Sequence, residues 1–242
     1  MPEQFNIFDD LLVFLLGIVL PFISGVRSRE GFKNITFTRD IRRRFYLSNS
    51  LVQWAAAAFI LGYWIFLGRP ITSIGLGVQP GEHMNLAWRL SILLVILYLS
   101  DILFSVRNKA AIQATLDEQG ETTPFLPESF SEFPSYGFMC LTAGICEEIL
   151  YRGYMVTYFL PHTTGAFPWM AIIFPALLFS LAHYYQGWHA VAKILVLSML
   201  LAGIYIASGS LWIGMAIHFL IDLAGGILAV ALKDRGSRIE DR

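Results

Sequence analysis

The chain has 242 residues, of which 56% are hydrophobic and only 14% are charged. Charged residues approach about 25% in an ordinary soluble domain, so this composition excludes such a domain and indicates a protein surrounded mainly by lipid. The formal net charge of -1 gives no reason to expect a nucleic-acid partner.

A transmembrane helix needs about 20 mostly apolar residues, and seven segments meet or approach that length. In chain order the predicted spans are 8–26, 47–67, 86–106, 136–159, 167–185, 188–207 and 210–232. Most of the polar stretches between them are short, which favours one membrane domain. We therefore predict an all-α fold, a polytopic transmembrane helical bundle of about seven spans.

Basic residues mark one side of this bundle. Of 17 Lys and Arg residues, seven lie from Arg27 to Arg44, two follow the third span and four lie from Lys233 onward, whereas only Arg69 lies in a loop of the opposite side. Because cytoplasmic loops are enriched in Lys and Arg, we predict an outside N-terminus and a cytoplasmic C-terminus. The longest loop, 107–135, contains several acids and three prolines, and we expect a flexible cytoplasmic segment there.

The fourth predicted span contains the sequence EEILYRG, with Glu147, Glu148 and Arg152. Each charged group at membrane depth costs about 2.5 to 3.5 kcal/mol on insertion scales, so such residues usually serve a function. At helical spacing Glu148 and Arg152 share a face, and Glu147 lies beside them. A salt bridge between helices would need only one acid, so the second acid favours a functional site.

Two histidines lie in later spans. The fifth span contains FSLAH, whose last residue is His183, and the seventh contains His218 and Asp222 four residues apart. Asp222 can therefore accept a hydrogen bond from His218 and fix its tautomer. Either histidine alone would more often be a packed core residue, but here three separate spans bring ionisable groups to membrane depth. The sixth predicted span contributes none to this group.

This set of side chains suits the hydrolysis of a peptide bond. A carboxylate in a partly desolvated pocket can act as a general base on water, and imidazoles can position that water or stabilise an oxyanion. The same residue types bind zinc, which could generate the nucleophile instead. The sequence contains no HExxH motif, which argues against an ordinary zinc protease but leaves other metal sites open.

The segments EEILYRG, FSLAH and SLWIGMAIHFLID resemble, in this order, the motifs EExxxR, FxxxH and HxxxN/D of the CPBP intramembrane proteases. This family includes the Rce1-type CAAX prenyl endopeptidases and the bacterial Abi proteins of bacteriocin processing and immunity. The resemblance covers about 136–228 and implies a membrane-embedded peptidase. The order and spacing of three motifs make it more specific than any one of them.

The resemblance implies that catalysis depends on Glu147, Glu148, Arg152, His183, His218 and Asp222. Glu147 would be the general base, and the two histidines would bind water or stabilise the oxyanion. Asp222 stands where Rce1-type members usually carry asparagine, and it would orient His218 better than it would donate to an oxyanion. Family members have been described with and without a metal. We favour the metal-free version and expect no cofactor; a divalent metal such as zinc would instead be held by Glu147, Glu148, His183 and His218.

We therefore predict an intramembrane endopeptidase that hydrolyses a peptide bond of a membrane-associated peptide or protein, with a CAAX-like or leader-type substrate, by glutamate-activated water. Membrane lipid would surround it, in a bacterial inner or plasma membrane. The predicted organisation is N-terminal spans and loops in 1–135, a catalytic membrane core in 136–232 and a cytoplasmic tail in 233–242. Two alternatives stay open: a non-catalytic scaffold or immunity protein of the same fold, and a proton-coupled transporter, against which the lack of inverted repeats argues.

Overall fold

The computed structural model describes residues 5–33, 35–77, 81–163 and 169–240. Within these ranges the regular structure is helical and contains no strand, which confirms the predicted all-α class. Two predicted features lie partly outside the described residues: 167 and 168 of the fifth span, and 241 and 242 of the tail.

The α-helices of the described chain are, in order, α1 (Ile7–Phe14), α2 (Leu20–Lys33), α3 (Arg39–Phe66), α4 (Met84–Ser105), α5 (Lys109–Thr122), α6 (Phe133–Glu147), α7 (Thr157–His162), α8 (Met170–Ala182), α9 (Trp188–Ser208) and α10 (Trp212–Glu240). Two π-helical segments connect neighbouring helices without a break: Leu15–Val19 joins α1 to α2, and Glu148–Val156 joins α6 to α7. The predicted tail, as far as it is described, is a helical continuation of α10.

Five helical runs are long and apolar enough to cross a membrane: Ile7–Phe32, Arg39–Phe66, Met84–Ser105, Trp188–Ser208 and Trp212–Arg235. They correspond to the first, second, third, sixth and seventh predicted spans. The fourth predicted span is the continuous run from α6 through α7, whose hydropathy is lowered by the charged motif. The fifth contains α8, an apolar helix of 13 residues. The number of spans therefore stays a prediction.

A close approach between α6 and α10 brings the first and last motifs together. A Cβ atom on Gly144 of α6 would lie only 3.0 Å from the carbonyl oxygen of Met215 and 3.0 Å from the amide nitrogen of Phe219, both in α10. Only glycine leaves room for two backbones at this distance. Glu147 and Glu148 follow within about one turn of Gly144 and so face the part of α10 that carries His218.

The predicted flexible loop at 107–135 is largely folded. Residues 109–122 form α5, which begins after the N-cap Asn108, whose side chain accepts a hydrogen bond from the amide of Ala111 at 2.8 Å. The prediction was wrong because the three prolines of the segment, which were expected to interrupt any helix, all follow α5. A proline cannot break a helix that ends before it.

A buried arginine fixes the segment that follows α5. The Nε and Nη2 atoms of Arg42, in α3, donate to both carboxylate oxygens of Glu132 at 2.7 and 3.1 Å, and Nη2 also donates to Glu128 at 3.0 Å. Lys233 of α10 lies 2.8 Å from the other oxygen of Glu128. These contacts bring the start of α3, the segment after α5 and the end of α10 to one end of the bundle. Arg42 and Lys233, from two of the three basic blocks, thus lie at the same end, and its identity as the cytoplasmic side stays a prediction.

A second buried ion pair joins α1 to the second π-helical segment. The two terminal nitrogens of Arg69 donate to the two carboxylate oxygens of Asp9, each at 2.8 Å, and the hydroxyl of Tyr154 donates to Asp9 at 3.0 Å. The Arg69 guanidinium lies over the rings of Phe5 and Trp64, at 4.9 and 4.8 Å from their centroids. Because Tyr154 belongs to the second π-helical segment, this network anchors that segment from the end opposite to Arg42.

Candidate active site

The first motif lies at the junction between α6 and the second π-helical segment. Glu147 ends α6, and Glu148 begins the π-helix. Nη1 of Arg152 donates to Oε1 of Glu148 at 2.8 Å, and both side chains are only 1% exposed. The i, i+4 pairing predicted from the sequence is therefore present. π-helical segments occur frequently at functional sites, and none was expected here from the sequence.

Arg152 also connects the motif to two further helices. Its Nη2 donates to the hydroxyl of Ser198, in α9, at 2.9 Å, and its Cζ lies 4.5 Å from the ring centroid of Phe179, in α8. The sixth predicted span thus contributes a neutral side chain to the site, although none of the ionisable residues predicted for the site lies in it. Ser198 is buried but carries no charge, and a single serine in an apolar helix gives no sequence signal that would distinguish it from packing.

His218 is oriented by Glu148 rather than by Asp222. Its Nδ1 lies 2.9 Å from Oε1 of Glu148, whereas its Nε2 lies 3.7 Å from Oδ2 of Asp222. An ionised carboxylate only accepts, so Nδ1 donates this hydrogen bond when Glu148 is charged. The longer separation is not a hydrogen bond. The prediction of an Asp222–His218 hydrogen bond is wrong because the close approach at Gly144 brings Glu148 within reach of the imidazole.

The two neighbouring glutamates have different surroundings. Oε1 of Glu148 accepts from both Arg152 and His218, and its Oε2 is buried with no hydrogen-bond partner in the described chain. A Cβ on Gly214 would lie 3.0 Å from that oxygen. Glu147 is more accessible, with 15% of its side chain exposed, and its Oε2 lies 3.7 Å from Nε2 of His218. Glu147 is therefore the carboxylate that a water molecule or a substrate can approach.

His183 joins the group through Phe179. The ring of Phe179 lies 4.7 Å from the His183 ring and 5.9 Å from the His218 ring, measured between centroids. Nδ1 of His183 lies 2.9 Å from the carbonyl oxygen of Phe179. A carbonyl oxygen only accepts, so this nitrogen carries the hydrogen, and the neutral ring presents Nε2 as an acceptor. The phenylalanine of the FxxxH motif thus positions both imidazoles, a role that the sequence alone did not suggest.

The predicted site residues converge, and Asp222 lies at the edge. Glu147, Glu148, Arg152 and His218 are linked by the direct distances given above, and His183 lies beside Phe179. The Asp222 side chain is 34% exposed, against 10% for His218. The structure brings these side chains together at the meeting point of α6, α8 and α10, and their catalytic roles stay predictions.

The alternative of a metal centre is neither confirmed nor contradicted by this arrangement. In the described part of the chain, no three His, Cys, Asp or Glu side chains are grouped as metal ligands. Oε1 of Glu148 already accepts from Arg152 and His218, and the Nδ1 atoms of both histidines face oxygen acceptors. Metal-bound histidines commonly make the same Nδ1 contacts, and Nε2 of His218 and Oε2 of Glu147 lie 3.7 Å apart. The metal-dependent version therefore stays a prediction, and we derive no step through a metal.

Acids and imidazoles gathered among the helices of a membrane protein are the side chains that hydrolysis of a peptide bond within a membrane would need. Residues 129–224 match the family model described as type II CAAX prenyl endopeptidase Rce1-like, and no curated protein and no solved structure matches the chain. The chain is an integral membrane protein. The match covers less than half of the chain, and it confirms the resemblance seen in the three motifs. The match includes all six predicted site residues.

Proposed function

We propose that this protein is an intramembrane endopeptidase in which Glu147 activates the attacking water. The observation that carries the proposal is the contrast between the two glutamates. Glu148 is enclosed and already accepts two hydrogen bonds, whereas Oε2 of Glu147 faces Nε2 of His218 across 3.7 Å. A polar separation of this length suits a bridging water. The family match supports peptidase chemistry at the level of the family.

In the proposed reaction, Glu147 takes a proton from the water as its oxygen attacks the carbonyl carbon of the substrate. The carbonyl π electrons move to oxygen, and the resulting oxyanion is stabilised by Nε2 of His218, which carries a hydrogen in the protonated ring. Nε2 of His183, an acceptor in the neutral ring, helps to hold the attacking water. The tetrahedral intermediate then collapses, the C–N bond breaks, and the proton held by Glu147 passes to the leaving amine. The products are a carboxylic acid and an amine, which exchange a proton to give a carboxylate and an ammonium group, and Glu147 returns to its ionised form.

The remaining polar residues would hold the catalytic geometry. Arg152 pairs with Glu148, and Glu148 in turn fixes the ring of His218 through Nδ1. This leaves Nε2 of His218 directed toward Glu147. Asp222, half-buried at the edge of the site, would be the second carboxylate that Nε2 faces, where it can meet a substrate that enters from the accessible side.

The substrate class is also a proposal. The name of the matched family points to a protein or peptide with a prenylated CAAX terminus, and a leader-type membrane peptide is the other class that the same chemistry would serve. We further propose a bacterial inner or plasma membrane location with the C-terminus in the cytoplasm. A fluorescent reporter that folds only in the cytoplasm, fused to the C-terminus, should give a signal; a dark fusion would reverse this orientation.

The activity can be tested with purified protein in proteoliposomes. The first probe is an internally quenched, S-farnesylated peptide ending in a CAAX sequence, and a mixture of membrane peptides analysed by mass spectrometry is the second. We expect wild-type protein to cleave at least one probe and Glu147→Gln to lose at least 100-fold, because its amide cannot take a proton from water. Glu121→Gln, at an exposed position of α5, is the matched control and should cleave normally.

Two outcomes would contradict the proposal. Full activity of Glu147→Gln would remove Glu147 as the base. No cleavage of any probe by folded wild-type protein would instead favour the scaffold or the transporter. A proton flux into the same proteoliposomes, measured with an internal pH dye, would then separate those two alternatives.

A further inference from the structure

A polar side chain from outside the family-matched segment reaches the proposed general base. Nε2 of Gln53, in α3, donates to Oε1 of Glu147 at 3.0 Å. Gln53 lies 94 positions before Glu147 in the chain, and the family match begins only at residue 129. None of the three sequence motifs includes this glutamine.

The packing of α3 against α6 makes this contact. The two helices pack against each other, and Trp54, the residue after Gln53, donates from its indole Nε1 to the hydroxyl of Thr142 at 3.1 Å. Two neighbouring residues of α3 therefore donate to two residues of α6 that lie five positions apart. One of these bonds ends on a neutral hydroxyl, and the other ends on the carboxylate that faces His218.

Only one of the two polar atoms of the Gln53 amide has a hydrogen-bond partner in the described chain. Its Nε2 is bonded to Glu147, whereas its Oε1 is buried and has no partner in the described chain. Burying an amide oxygen without a partner is unfavourable, so a glutamine that served only to join two helices would be expected to satisfy both ends. The hydrogen bond that Gln53 makes to a side chain goes to Glu147, which indicates a role at that carboxylate.

We propose that Gln53 is a positioning residue for Glu147. By holding Oε1 of the carboxylate, it fixes the rotation of the side chain so that Oε2 stays directed toward Nε2 of His218, where the proposal above has the attacking water. A displacement of about 1 Å in a reacting group can lower a rate by about 100-fold. This inference rests on the proposed function, in which Glu147 is the base.

The test compares two variants of neighbouring residues in α3. Gln53→Met keeps the length of the side chain and removes the donor. Trp54→Phe removes the other hydrogen bond between α3 and α6 and leaves Glu147 untouched. With the cleaved probe in proteoliposomes, we expect Gln53→Met to lower kcat by about 10- to 100-fold with KM within twofold of wild type. Trp54→Phe should keep wild-type kcat even if its unfolding temperature falls.

A shorter amide provides a second variant that keeps the polarity of the position. Gln53→Asn keeps the donor but withdraws it by one methylene, so it should also lose kcat if reach to Glu147 matters. If Gln53→Met does not fold, Gln53→Asn makes the same comparison against Trp54→Phe. Wild-type kcat in a folded Gln53 variant would overturn the inference, and so would an equal loss of kcat in Trp54→Phe.

The contact can also be measured without a substrate. In detergent, Gln53→Met should lower the unfolding temperature less in a Glu147→Ala background than in wild type, because the partner of the hydrogen bond is already gone. An equal decrease in both backgrounds would overturn the inference. These results are distinguishable from failure of the proposed function, in which Glu147→Gln and wild type would behave alike toward every probe.

Discussion

Replacing Arg152 by methionine should strongly destabilise the protein by leaving the buried charge of Glu148 without its arginine partner. Arg152 donates to Glu148 at 2.8 Å and to Ser198 at 2.9 Å, and both members of the ion pair are 1% exposed. Breaking a buried pair by removing one partner costs about 3 to 5 kcal/mol. Methionine nearly preserves the volume, so most of this cost would come from the charge rather than from a cavity.

The assay is denaturant unfolding of purified protein in detergent, followed by tryptophan fluorescence. Arg152→Met should lower the free energy of unfolding by about 3 to 5 kcal/mol. The double variant Glu148→Gln with Arg152→Met should recover part of the loss, because it no longer buries an unpaired charge. A loss below about 1 kcal/mol, or a double variant less stable than Arg152→Met, would refute the reasoning that the pair is buried and mutually compensating.

Three further predictions concern other parts of the molecule. Asp9→Asn should lower the free energy of unfolding by about 3 kcal/mol in the same assay, because it leaves buried Arg69 without its bidentate partner. Burial raises the pKa of Glu128, but the hydrogen bond from Lys233 and the charge of Arg42 outweigh it and lower that pKa below its usual value. The stability from Glu128 is therefore present above its unfolded-state pKa and lost as the pH falls through the folded-state value. Glu128→Gln should make the unfolding temperature less sensitive to pH below about 4.5. Cleavage should persist after exhaustive chelation, with no stoichiometric zinc by elemental analysis.

Each of these has a contradicting result. An Asp9→Asn protein as stable as wild type would mean that the pair with Arg69 contributes little. If the unfolding temperature of Glu128→Gln depends on pH below about 4.5 as strongly as that of wild type, the contact of Glu128 with Lys233 does not stabilise the folded protein. Loss of cleavage on chelation, restored by added zinc, would show that the reaction needs a metal and that the side chains rearrange to bind it.

The sequence was sufficient for the fold class and for the members of the site that carry charge. Long apolar segments must form helices in lipid because each backbone polar group needs a partner, and an ionisable residue in such a segment is conspicuous. The i, i+4 spacing of Glu148 and Arg152 was enough to predict their ion pair. The same spacing failed for His218 and Asp222, because a closer acceptor reaches the imidazole from another helix.

The neutral polar contacts could not be predicted. Ser198 and Gln53 are single polar residues in long helices, and their partners lie 46 and 94 positions away, so only helix packing brings them together. The buried charges outside the site were missed for a related reason. Arg42 and Arg69 stand in polar flanks, where basic residues normally face water or headgroups, and no local pattern distinguishes a buried arginine from an exposed one.

The division of labour between Glu147 and Glu148 follows from the position of α6 between two other helices. Adjacent helical residues project about 100° apart, so two consecutive acids necessarily face different neighbours. α6 packs against α3 on one side and α10 on another. Glu148 therefore meets His218 and the enclosed Arg152, whereas Glu147 meets Gln53 and keeps one oxygen accessible. In the proposed function one of these adjacent carboxylates maintains the geometry and the other exchanges a proton, and this difference arises from packing rather than from residue type.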